Sequence, residues 1–280
     1  MSAQISLDGL TVGVPAARRA TETARLVQRW GGSALVGPTV REVTAADPGP
    51  VIEATHRVIE APLQWSVHLT GVGTKRWFDL AEEAGLLGAL LGKLQGAQVI
   101  ARGQKTKSAL AAGQIKPAWV PDSETSHEIA EWLTPKLSPG DTVALQLHGE
   151  PVPELAGAVT STGAELIEVQ SYSWDLPEDL GPAEQLVRGI VEGRVHALMI
   201  TSAPQVRFLA EIAERAGLRS ELIEALGRRV FLAAVGTVAA GGLRDLGLQE
   251  DLVADPPRMG ALVRSLAGSR ERVLAKAGGW

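Results

Sequence analysis

"ITSAPQVRFLAEIAERAGL" (200–218) and "LTGVGTKRWFDLAEEAGL" (69–86) are two versions of one pattern. Each opens on an apolar residue followed by Thr and a small residue. Each carries an Arg near an aromatic side chain, and each closes on Ala-Glu-x-Ala-Gly-Leu. One copy would read as a strand, a turn and a helix. Two copies point to a duplicated unit, and self-similarity of this kind takes priority over local reading.

The likeness continues downstream. "GAQVIARGQKTKSALAAG" (96–113) parallels "GRRVFLAAVGTVAAGGLRDLG" (227–247), each a strand running into Gly, then Thr, then a helix closing at Gly. "WVPDSETSHEIAEWL" (119–133) parallels "VADPPRMGALVRSL" (253–266). Short apolar runs alternate with amphipathic ones throughout, the pattern of βαβ crossovers and mostly parallel sheets. The first block is expected to hold strands at 65–70, 97–101, 117–121, 142–148 and 164–172, with helices at 51–60, 74–95, 104–112, 124–136 and 152–162. The second holds helix 183–192, strand 196–201, helices 204–216 and 219–226, strand 228–235, helix 237–246, strand 251–255 and helix 258–268, with a frayed tail at 275–280. Ahead of both, strand 10–15 leads to a helix stopped at Gly31-Gly32 and a strand at 33–37. Two Pro- and Gly-rich stretches, 38–50 and 171–182, read as linkers.

The second block is short of strands by itself, and the first two strands belong to no complete domain. Residues 1–37 are therefore expected to fold with 176–280, and 41–171 to be inserted between them. The expected fold class is α/β: two doubly wound parallel-sheet domains joined by a two-stranded linker, which would form a hinge over a cleft.

Bulk properties narrow the function. The 280 residues carry 27 basic and 32 acidic side chains, a formal charge of −5, which argues against broad nucleic-acid binding. The absence of cysteine excludes disulfides, thiolate catalysis and Cys-type zinc sites. His, Asp and Glu do not fall at metal-ligand spacing, so no metal is expected, and neither a G-x-G-x-x-G nor a P-loop supports nucleotide binding. The start "MSAQISLDGLTVGV" lacks a basic and then apolar leader, and no run approaches the roughly 20 apolar residues of a membrane span. A soluble, cytoplasmic, monomeric protein is the expectation.

Several stretches resemble the uroporphyrinogen-III synthases, especially actinobacterial ones: "TSAPQVRF" (201–208), "AVGTVAAGGLRDLG" (234–247), "LTGVGTKRWF" (69–78), "ARGQKT" (101–106), "LQLHGEPVPEL" (145–155) and "VQSYSW" (169–174). The resemblance covers nearly the whole chain through the order and number of its motifs. It implies two α/β domains on a two-stranded linker and a lyase that needs no cofactor or metal. The implied substrate is hydroxymethylbilane, a linear tetrapyrrole with eight carboxylates. The reaction removes its terminal hydroxyl, inverts the last ring through a spiro intermediate and closes the macrocycle with loss of water. A transient contact with the preceding pathway enzyme is a further expectation, and neither nucleic acid nor membrane is an expected partner. Two departures stand out. Pro15 in "VPAARRA" lies where many members have Thr, and "ARGQKT" lacks the Pro that many members carry after Gly.

An acidic protein can bind a polyanion at the carboxyl edge of parallel sheets, where unpaired amides of helix N-termini collect. Thr70-Gly71-Val72, Gly103 to Thr106, Thr201-Ser202-Ala203 and Gly236-Thr237 lie at such strand-to-helix junctions and are the expected substrate contacts. Arg18, Arg19, Arg102 and Lys105 are candidate carboxylate partners, and His148 a further contact beside Gln146. His68 is expected to be packed. Tyr172, the one tyrosine of the chain, falls at the start of the second linker. In the family the Tyr of this motif is proposed to help the hydroxyl leave, and a phenol protonated at pH 7 can donate to that oxygen. Two other readings exist: a non-catalytic tetrapyrrole-binding or sensing domain related to actinobacterial regulators, which carry a DNA-binding domain not expected within these 280 residues, and a periplasmic-type binding protein, which the expected lack of a leader disfavours.

Overall fold

A computed structural model describes residues 5–44 and 47–278. The chain starts with β1 (Thr11–Val14), α1 (Ala20–Arg29), β2 (Ser33–Val36) and β3 (Arg41–Thr44). It continues through α2 (Gly49–Glu60), β4 (Leu63–His68), α3 (Gly71–Glu83), α4 (Leu87–Gln95), β5 (Gln98–Ala101), α5 (Gln104–Ala112) and α6 (Ser126–Leu133). The same order then begins again: β6 (Thr142–Gln146), α7 (Pro153–Thr160), β7 (Glu165–Val169) and β8 (Tyr172–Asp175). It runs on through α8 (Gly181–Val191), β9 (Ala197–Ile200), α9 (Pro204–Arg215), α10 (Arg219–Arg228), β10 (Phe231–Ala234), α11 (Thr237–Arg244), β11 (Leu252–Val253), α12 (Met259–Gly268) and a closing α13 (Arg270–Ala277). The missing counterpart of β11 is Trp119, which bridges Ile100 of β5 in parallel.

The duplication is tandem, but its copies do not fold as separate domains. One sheet has the order β11-β10-β9-β1-β2, all parallel. The other has the order β5-β4-β6-β7, also parallel, with Trp119 on the β5 side. Each sheet takes its first two strands from one copy and the rest from the other, so both have the same doubly wound layout. The compact units follow this exchange: the chain up to Arg41 with the chain from Asp175 onward, and Glu42–Trp174. The two crossings fall in β3 and β8, which pair as a two-stranded sheet.

The strands read as continuous apolar runs because helices cover both faces of each sheet. β6, β9 and β10 are buried along their whole length. In the discontinuous unit, Leu186, Leu209, Leu226 and Leu232 pack on one side, and Val27, Met199, Phe231 and Leu266 on the other. In the inserted unit the two layers form around Trp77, Leu94 and Ile167, and around Ile129, Leu145 and Leu155.

Several local expectations change. The helix expected at 74–95 is two helices, broken at Gly85, whose φ of +73° suits glycine. The strand expected at 117–121 shrinks to the Trp119 bridge, because Pro117 and Pro121 have no N–H to add to a ladder. The strand expected at 164–172 ends at Val169, and Tyr172 instead opens β8. The stretch at 38–50 contains β3 and the start of α2; Ala45 and Ala46 lie outside the described residues. The tail is ordered through Ala277, since Lys276 Nζ lies 2.5 Å from Asp251 Oδ2 and Arg272 donates to the Asp251 carbonyl; Gly279 and Trp280 lie outside the described residues.

Candidate active site

In a doubly wound sheet a ligand sits beyond the carboxyl ends of the strands, where the strand order reverses. In the inserted unit that place lies between β4 and β6. β4 ends in His68, and Leu69 and Thr70 then turn into α3. Thr70 is the N-cap: its backbone is extended (φ −141°, ψ 146°) and its Oγ1 accepts from the Gly73 amide at 3.0 Å. The Thr70 amide donates to Gln146 Oε1 (3.1 Å) at the end of β6, and Gln146 Nε2 donates to the Leu147 carbonyl. Ser171, just before β8, donates to the Gly73 carbonyl at 2.7 Å. These bonds bring Tyr172 to the first turn of α3, with its hydroxyl 3.3 Å from Thr70 Oγ1. Trp174 meets the Tyr172 ring edge-on at 5.5 Å, and its Nε1 donates to the His148 carbonyl at 3.0 Å.

Charge at this edge follows from burial. Desolvation raises the Tyr172 phenol above its ordinary value, helped by the charges of Glu42 and Glu150; the Thr70 hydrogen bond and Arg102 pull the other way. Desolvation lowers the Arg102 guanidinium, opposed by Tyr172 and Glu124. His148 is pushed down to about 4 by burial and then by Arg102. Near neutral pH the edge therefore presents a protonated phenol, a neutral imidazole and, since a guanidinium keeps its proton, the Arg102 cation.

The other expected junctions differ in what they leave open. Gly71 and Val72 occupy the first turn of α3, whose amides have no intrahelical acceptor. Gly71 is held against α5: a Cβ there would lie 2.6 Å from the Lys105 carbonyl. Gly103 caps α5, but the Gln104 amide donates to Glu124 Oε1 at 3.2 Å, so a side chain of the protein already holds one of its amides. Lys105 is exposed and Thr106 buried. In the discontinuous unit the amides of Thr201 and Ser202 both donate to Gln205 Oε1 (2.9 and 3.3 Å), while Gln205 Nε2 donates to Thr201 Oγ1 at 2.8 Å. They are therefore not open to an anion as expected from their position. Ala203 precedes α9, and Gly236 and Thr237 open α11, with Thr237 exposed. Arg18 is exposed, and Arg19 pairs with Glu22 at 2.6 Å on the surface. Gln146 does not stand beside His148 as a contact; it is fully buried as a bracket between strand and helix.

Gln205, Glu124 and Trp174 were not anticipated, and Gln146 was expected beside His148 rather than as a buried bracket to Thr70. Gln205 was within reach of sequence reading, because a Gln three residues after Ser202 has the spacing of a capping box. Gln146, inside an apolar strand, gives no such signal. Among the described residues no group of three or more His, Asp or Glu could hold a metal ion, and no helix is long and apolar enough to cross a membrane.

The family model for uroporphyrinogen-III synthase HemD matches residues 21–264. The chain belongs to the uroporphyrinogen-III synthase family. A mutant uroporphyrinogen III synthase from Thermus thermophilus is 29% identical, with a TM-score of 0.76 over 96% of this chain and 100% of that one. The uncharacterized protein YjjA of Bacillus subtilis (strain 168) is 31% identical over 92% of this chain and 95% of its own. The uroporphyrinogen-III synthetase of Helicobacter pylori 26695, at 15% identity and a TM-score of 0.52, shares the fold.

This family member carries a pH signature beside its candidate site. His68 is fully buried, and burial pushes it down to about 3. An unfolded chain protonates its imidazoles below about 6.5, whereas folded His68 and His148 resist until about 3 and 4. Stability is fully present above pH 6.5 and is lost as pH falls through that window, by up to about 1.4 kcal/mol per pH unit for each group. Exposed His127 is raised by its hydrogen bond to Glu154, so its contribution is present below 6.5 and lost above its folded value. The urea midpoint of unfolding should drop between pH 7 and pH 5, and His68→Gln should flatten that slope.

Proposed function

We propose that the chain is a uroporphyrinogen-III synthase acting in the cytoplasm: a cofactor-independent lyase that cyclises hydroxymethylbilane to uroporphyrinogen III, with inversion of the last ring and loss of water. Family membership supports the reaction class. The observation that carries the site is the grouping of Tyr172, Thr70, Arg102 and His148 where the strand order reverses in the inserted unit. Arg102 and the Gly71 and Val72 amides at the start of α3 offer a cation and donors to substrate carboxylates. The pyrrole nitrogen expels the terminal hydroxyl: the C–O bond breaks, the oxygen takes up a proton and departs as water. Tyr172 donates a hydrogen bond to that oxygen as it leaves. Burial favours the protonated phenol, so the donor is present across the neutral range. The larger task of the protein is to hold the linear chain so that the last ring inverts before closure.

Purified protein fed with hydroxymethylbilane should give the type III isomer well above the type I isomer that forms spontaneously. Type I alone would overturn the enzyme reading and leave tetrapyrrole binding as the function. Arg102→Gln removes the half-buried cation. A charge-assisted hydrogen bond is worth about 1.5–3 kcal/mol, so KM should rise about 10- to 100-fold with a smaller change in kcat. Steady-state kinetics on the same substrate checks this.

A further inference from the structure

The candidate site rests on a buried chain of hydrogen bonds that the reaction itself does not require. His68 is stacked on Trp77 (5.5 Å between ring centres, 27° between planes) and lies edge-on to Phe78 at 6.5 Å. Both of its ring nitrogens are engaged: Nε2 with Ser66 Oγ at 3.0 Å and Nδ1 with Thr74 Oγ1 at 3.1 Å. Thr74 Oγ1 also donates to the Thr70 carbonyl at 2.9 Å. A hydroxyl has one hydrogen and a carbonyl only accepts, so Thr74 gives its hydrogen to Thr70 and must accept from His68. That fixes the imidazole as the Nδ1–H tautomer, with Nε2 accepting from Ser66. Every donation then runs one way, from Ser66 through His68 and Thr74 to Thr70.

Thr70 is held on all sides. Its amide is bound to Gln146, its carbonyl receives both the Thr74 amide and the Thr74 hydroxyl, and its Oγ1 receives the Gly73 amide. What remains at Oγ1 is one hydrogen and one lone pair, and among the described residues the side chain in hydrogen-bond reach of them is the Tyr172 hydroxyl.

We propose that Thr70 is a positioning residue that donates its hydroxyl hydrogen to the Tyr172 oxygen, so that the phenolic hydrogen points outward to the departing hydroxyl, and that the buried His68–Thr74 pair locks Thr70 in that setting. This deepens the reading of Tyr172 given above and rests on it. The opposite polarity, with the phenol donating to Thr70, would point the phenolic hydrogen inward and leave nothing to offer the substrate.

The polarity can be read without turnover. Tyr172 is the one tyrosine of the chain, so phenolate absorbance, or the fluorine signal of biosynthetically incorporated fluorotyrosine, reports on this site alone. Fluorination makes the phenol more acidic and brings its titration into a range where the fold holds. A hydrogen bond donated to the phenol favours the phenolate, and one accepted from it favours the neutral form. Thr70→Val should therefore raise the titration midpoint by about half a pH unit or more. It should lower kcat about 10-fold with KM nearly unchanged, and Thr70→Ser should restore both. Thr74→Val should shift the midpoint in the same direction by less. A lowered midpoint in Thr70→Val, no rescue by Ser, or a rise in KM with kcat intact (the mark of a direct substrate contact) would overturn the assignment to Thr70. An unmoved midpoint in Thr74→Val would remove the His68–Thr74 arm. If Thr70→Val raises the midpoint but Tyr172→Phe turns over normally, the hydrogen-bond polarity stands and the role of Tyr172 in the reaction falls.

Discussion

Tyr172→Phe should yield a folded protein that forms the type III product about 100-fold more slowly. Phe keeps the ring and its edge-on contact with Trp174, so packing changes little. What is lost is the donor to the departing oxygen and the partner of Thr70. The reaction should slow rather than stop, because the pyrrole nitrogen can expel the hydroxyl unaided. The pH dependence supplies a second check. Burial places the phenol above its ordinary value of 10.0. Its contribution to stability is fully present below pH 10 and is lost as pH rises through the higher folded value. An alkaline decline in kcat should be present in the parent enzyme and absent from Tyr172→Phe. A variant with unchanged kcat would remove Tyr172 from the mechanism.

Gly73→Ala should have the larger effect on the fold. A Cβ at this position would lie 1.9 Å from Gln146 Nε2 and 2.8 Å from Thr70 Oγ1, so both must move. Gln146 has nowhere to go without breaking its bonds to the Thr70 amide and the Leu147 carbonyl, and it is fully buried. Overpacking together with a stranded buried amide costs about 3 kcal/mol. Chemical denaturation should show that loss, and kcat should fall at least as far as in Tyr172→Phe because Thr70 is displaced from the phenol. Gly88, a helix position where a Cβ would meet nothing within 4 Å, serves as the control: Gly88→Ala should leave kcat unchanged and stability unchanged or raised by up to about 1 kcal/mol. If Gly73→Ala behaves like Gly88→Ala, the bracket around Thr70 yields to a methyl group and does not fix Thr70.

Much of the candidate site was visible in the chain because strand-to-helix junctions carry local signals. Thr70, Gly103 and Gly236 each stand at the cap position that their neighbours predict. Engagement of the amides at those junctions was not visible. The groups that accept from them, Gln146 for Thr70 and Glu124 for Gln104, come from 76 and 20 residues away. Side-chain reach across a sheet edge leaves no periodic trace. The same holds for Trp174, whose bond to the His148 carbonyl spans 26 residues.

The alternation of strand and helix, and the repetition of one pattern along the chain, follow from periodicity and capping, which act between neighbours a few residues apart. Those features are written in "LTGVGTKRWF" and "TSAPQVRF" and needed no coordinates. Counting strands in each block also pointed to residues 1–37 folding with 176–280. The order of strands within each sheet is a different matter. β1, β4, β6 and β9 are all short runs that end buried against helices, and nothing in their composition names a partner. Parallel strands pair across crossovers of many residues, so the choice falls to packing over the whole sheet. That packing set β6 beside β4 rather than beside β9, and so brought Gln146 to Thr70.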